Sequence, residues 1–126
     1  VQGNGITVTG TGSNDNPFVI AQAASQATIS VDVAGALDLS AYTGIASVLV
    51  TLNANATSLI LPTQGTIELV ILQGTGGSRT ITWPASIKFP GGTDPVLSTV
   101  VGRYDWVRLV YAGNVWVGFL VGTNLS

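Results

Sequence analysis

Tyr104-Asp105-Trp106-Val107-Arg108-Leu109-Val110-Tyr111-Ala112-Gly113-Asn114-Val115-Trp116-Val117-Gly118-Phe119 decides the fold class of this chain. Side chains along a strand point alternately to its two faces, so apolar residues at every second position mark a strand with a buried side. Two such runs meet at Ala112-Gly113-Asn114, which predicts a tight hairpin. On the first strand the alternation puts Tyr104, Trp106, Arg108 and Val110 on one face and Asp105, Val107, Leu109 and Tyr111 on the other.

The same period of two recurs upstream at Val31 and Val33, at Val48, Val50 and Leu52, at Ile67, Leu69 and Ile71, and at Ile81 and Trp83. No stretch of ten residues carries a convincing helical stripe. Most of the 16 glycines and five prolines lie between the alternating runs, where turns need their backbone geometry. The expected fold is all-β: an antiparallel β-sandwich head, jelly-roll-like in the broad sense, over residues 26–126. Its strands fall near 28–33, 36–39, 45–52, 57–61, 66–73, 78–83, 104–112 and 114–121. Residues 1–25 read as a separate stem, with Gly5–Thr9 returning through Gly10–Pro17 into Phe18–Ala21. Two strands are not stable alone. Such a piece is expected to intertwine with equivalent strands of other subunits or to attach to a neighbour, with 22–26 as the joint.

Composition restricts function. Hydrophobic residues make up 46% of the 126 and charged residues 8%, about a third of the roughly 25% of an ordinary domain. With four cations, six anions and a net charge of −2, no run of phosphates could be neutralised, so nucleic acid is an unsuitable ligand. Mean hydropathy is +0.50, yet the richest run, Ile45 to Leu52, is too short for a spanning helix, and no membrane insertion is expected. The chain does not open on methionine, which predicts a fragment or a processed product.

The chemistry of catalysis is missing. Without histidine, cysteine or methionine there is no imidazole or thiolate for a nucleophilic pair, a metal or redox work, and no cofactor is expected. The carboxylates Asp15, Asp32, Asp38, Glu68, Asp94 and Asp105 read as single groups on turns or strand ends, not as an opposed pair. Gly74-Thr75-Gly76-Gly77-Ser78-Arg79 lacks the Lys and the following helix of a phosphate loop and reads as a hairpin turn. Ser13-Asn14-Asp15-Asn16 reads as turn chemistry, without the distal Glu of a calcium loop.

Two features point to binding. In Val48-Leu49-Val50-Thr51-Leu52 and Glu68-Leu69-Val70-Ile71-Leu72 both faces are largely apolar, so one face can bury in the head and the other against a second copy of the chain. Cover by the chain's own loops is the alternative. The second feature is aromatic. Tyr104, Trp106 and Arg108, with Trp116 across the hairpin, could form a platform on which apolar sugar faces stack beside planar polar groups. The reading favoured for Trp116 and Trp83 is that they are core or interface anchors, where large rings bury the most area.

Arg79-Thr80-Ile81-Thr82-Trp83-Pro84-Ala85-Ser86 is followed by Lys88-Phe89-Pro90-Gly91-Gly92-Thr93-Asp94-Pro95, Val96-Leu97-Ser98-Thr99 and Asn114-Val115-Trp116-Val117-Gly118-Phe119. That order resembles the C-terminal modules of bacteriophage tail and tail-fibre proteins. Gly3-Asn4-Gly5-Ile6-Thr7-Val8-Thr9-Gly10 with Asn16-Pro17-Phe18-Val19-Ile20 is similar to a repeat unit of the same class. Phe89 and Val117 stand where the pattern often has Trp and Tyr. The resemblance implies a virion structural protein, usually a homotrimer. Its stem would join other virion proteins and its distal head would meet host cell-surface polysaccharide. A capsid head fibre or decoration protein, and a stand-alone carbohydrate-binding domain, are the competing expectations.

Overall fold

The computed structural model describes residues 25–126. The expected stem at 1–25 lies outside the described residues except for Ser25, which opens the first strand. Eight strands follow: β1 Ser25–Val31, β2 Gly35–Asp38, β3 Ile45–Leu52, β4 Ala56–Ile60, β5 Thr66–Gln73, β6 Ile87–Lys88, β7 Tyr104–Ala112 and β8 Val115–Leu125. Among the described residues the only helical element is the single 3-10 turn Pro90–Gly92, so the all-β expectation holds.

The pairing departs from the antiparallel expectation. A mixed six-stranded sheet runs β1-β3-β5-β7-β8-β6, and a two-stranded sheet pairs β2 with β4. β1, β3 and β5 are parallel to one another, as are β2 and β4, and β6 lies parallel to β8. Only β5–β7 and β7–β8 are antiparallel. The cause is connectivity. Parallel neighbours need a long crossover, and here each crossover is a strand of the small sheet: β2 between β1 and β3, β4 between β3 and β5. The chain therefore winds round the core in stacked coils. Ile29, Val50 and Ile71 lie in one cross-strand row, at the same 21-residue separation that joins Asn53 to Asp32. An internal repeat of this kind is the mark of a solenoid-like stack, and it stands in the sequence as Ala27–Asp32, Val48–Asn53 and Leu69–Gly74.

Alternation explains the core. Ala46, Val48, Val50 and Leu52 of β3 and Ile67, Leu69 and Ile71 of β5 point inward and are buried, in one core with Leu37 and Leu59 of the small sheet and Leu39 just after β2. Each of these Val, Leu and Ile side chains contributes roughly 1.5–3 kcal/mol relative to exposure. At the corner the coils are tied by polar contacts: Asn53 donates to Asp32 Oδ1 at 2.8 Å and accepts from the Thr75 N–H at 2.8 Å.

The expected strand at 78–83 shrinks to one bridge, Ile81 with Ala56. Gly74–Arg79 is a turn but not a hairpin turn, because it carries the chain from β5 to the small sheet instead of returning it beside β5. Trp83 is buried, its ring edge-on to Phe89 at 5.5 Å. The tight hairpin expected at residue 113 is present, with Gly113 and Asn114 as its two-residue loop. Gly113 and Asn114 have φ of 61° and 65°, the left-handed pair of a two-residue turn, so Ala112 faces Val115 and Tyr111 faces Trp116.

Candidate functional site: the outer face of the large sheet

The outward side of the six-stranded sheet holds the candidate site. On β7 the face assignment is as the alternation predicts: Tyr104, Trp106 and Arg108 are half-exposed, while Asp105, Val107 and Leu109 are buried. Register places Glu68 opposite Arg108 and Val70 opposite Trp106. Glu68 uses both carboxylate oxygens here. Trp106 Nε1 donates to Oε1 at 2.7 Å, and Arg108 Nε donates to Oε2 at 2.7 Å. The Arg108 guanidinium carbon lies 5.7 Å from the centre of the Trp106 ring, within cation–π range. With the Arg108 and Glu68 side chains 43% and 26% exposed, solvent screens the pair. Its value is geometric: it fixes the ring and the guanidinium against the sheet.

Beside this cluster an open groove of about 530 Å³ crosses β1, β3 and β5 and reaches Tyr104. Its outward lining is Gln26, Thr28, Ser47, Leu49, Val70 and Tyr104: an apolar floor with hydroxyl and amide edges, the lining expected of a small-molecule groove.

Trp116 does not join this face. It is 6% exposed, lies opposite Tyr111 and Ile87, and packs on the Tyr111 ring at 5.5 Å in the interior. The two-residue turn sets this pairing, so Trp116 shares the inward face and serves the core. Glu68 is the residue that sequence reasoning passed over. It sits in the middle of β5, not on a turn or strand end, and a lone carboxylate on the outward side of an apolar strand was the available signal.

Asp105 is fully buried. Its carboxylate accepts from the Ser98 N–H and hydroxyl at 2.8 and 2.6 Å, the Thr123 hydroxyl at 2.8 Å and the Asn124 N–H at 3.1 Å. Burial pushes its pKa up, but these bonds together outweigh it and hold the carboxyl below its ordinary value. Asp105 thus pins the 93–102 loop and the end of β8 to β7. That loop carries a second apolar surface: Val96 is 79% exposed, and Val100 and Val101 are more than half exposed. A groove lined by Phe89, Pro90, Pro95, Val96 and Leu120 opens beside it.

Comparison with protein-family models, with curated proteins and with solved structures found no match. Residues 25–126 form an all-β unit with stacked parallel coils and an aromatic–ionic cluster on an open sheet face.

Proposed function

We propose that the chain is a non-enzymatic structural module of a bacteriophage virion, part of a tail fibre or receptor-binding protein. The head, residues 26–126, contacts host surface glycan as one of several identical copies. The observation that carries this reading is the outer sheet face, where Glu68 holds Trp106 and Arg108 beside a groove with Tyr104 at its end. A half-exposed ring held by a hydrogen bond beside charged and polar groups suits the apolar face and hydroxyl rim of a sugar. The order of motifs from Arg79 to Phe119 supports the virion setting.

The homotrimer rests on the low charge and on the second apolar surface at Val96, Val100 and Val101, which identical copies would cover. Three weak sites on one rigid assembly then bind together at high effective concentration. The test uses the full chain, fluorescently labelled, on a panel of intact bacteria. Decoration of a susceptible strain that disappears in Trp106→Ala supports receptor contact; binding confined to phage particles would instead make the chain a decoration protein.

A further inference from the structure

We propose that the ligand of this face is a neutral, hydroxyl-rich saccharide, and that Glu68 is the positioning residue that sets this preference; the inference rests on the glycan-contact reading above. Glu68 and Arg108 are the only charged residues whose side chains stand outward on β1, β3, β5 and β7, and they neutralise each other. Lys88 lies on β6 at the far edge of the sheet, with its Nζ on the carbonyl of Ala85. An anionic polymer would meet a face of zero net charge on a chain of net charge −2, so long-range attraction is absent.

Neutral hydroxyls find what they need. The terminal nitrogens of Arg108 have no acceptor among the described residues, and the carboxylate of Glu68 keeps lone pairs beyond the two it uses. The hydroxyls of Thr28 and Ser47 and the amide of Gln26 line the groove, where Leu49 and Val70 offer an apolar floor. Glu68 thus does two things: it orients the Trp106 ring, and it cancels the charge of Arg108.

Those roles separate in Glu68→Gln. The amide oxygen can still accept from Trp106, but Arg108 is left as an uncompensated cation. Native gels containing dextran, galactomannan or arabinan, and parallel gels containing dextran sulfate or polygalacturonate, read the preference as retardation. The wild-type chain is expected to be slowed by at least one neutral polymer and by neither anionic one. Glu68→Gln should weaken neutral retardation by about tenfold, the loss of roughly one hydrogen bond to a charged group, and gain retardation in the anionic gels that fades with added salt. Wild-type retardation by anionic polymers alone, or a variant that behaves as wild type, overturns the inference. Decoration of intact cells without neutral retardation overturns it while leaving the proposed function standing; failure on cells and in every gel overturns both.

Discussion

The side chain of Gln73 pairs with the backbone of Arg79 at both ends: Nε2 donates to the Arg79 carbonyl at 2.7 Å, and Oε1 accepts from the Arg79 N–H at 2.9 Å. Gln73 is fully buried and lies beside Leu52, which lies beside Val31. Where the earlier coils place an aliphatic side chain, this one places an amide that stands in for a strand partner and carries the chain out of β5. Gln73→Leu matches the stack in shape yet strips Arg79 of both partners. A loss of about 2–4 kcal/mol is expected, read as a lower urea midpoint with unchanged slope.

Acid should act through Asp105. Its folded pKa lies below the ordinary 3.8, so its contribution is complete above the unfolded value and is lost as pH falls through the folded one. Asp32, held by Asn53 and Ser30, and Asp38, held by Ser40, are lowered too and act in the same direction. Stability should be flat from neutral pH to about 5 and fall below about 4. Asp105→Asn should be less stable at pH 7 and show a shallower acid limb in denaturation midpoints measured across pH.

The two tryptophans of the closing hairpin should separate cleanly. Trp116→Ala empties a core position and should cost about 3–5 kcal/mol. Trp106→Ala removes a half-exposed ring and should cost about 1–2 kcal/mol while abolishing cell decoration. Denaturation and cell binding on the same pair of variants check both halves.

Gly118 lies against the Phe89 ring, where an added Cβ would collide with it. Phe89 is buried and contacts Trp83, so the ring has little room to retreat. Gly118→Ala should destabilise by about 1–3 kcal/mol through overpacking, with loss of near-ultraviolet circular dichroism from the Trp83–Phe89 pair.

If the second apolar surface joins identical copies, Val96→Glu with Val100→Glu should convert a trimer mass in light scattering to a monomer mass. The far-ultraviolet circular dichroism should stay unchanged, because both side chains are exposed in the single chain. A trimer that persists would place the subunit contact elsewhere.

Strand positions were legible because alternation is local: β3 and β5 fall where the pattern of Ile45–Leu52 and Thr66–Gln73 puts them. Half of the site was legible for the same reason, since the spacing of Tyr104, Trp106 and Arg108 alone puts them on one face. The face of Trp116 depends on a single residue of turn length, which flips a side chain to the other face. Glu68 was invisible as a partner because the contact joins β5 to β7, and nothing in a strand's own pattern names its neighbour.

From the sequence alone come the all-β class, the long strand segments β3, β5 and β7 and the faces of their side chains, since these depend on a two-residue period. Tertiary structure decided the rest: parallel stacking over antiparallel return, the burial of Trp116, and the meeting of Glu68 with Trp106 and Arg108. The direction and order of pairing are settled by long crossovers and by packing of distant segments around one core, and a local pattern carries no record of either.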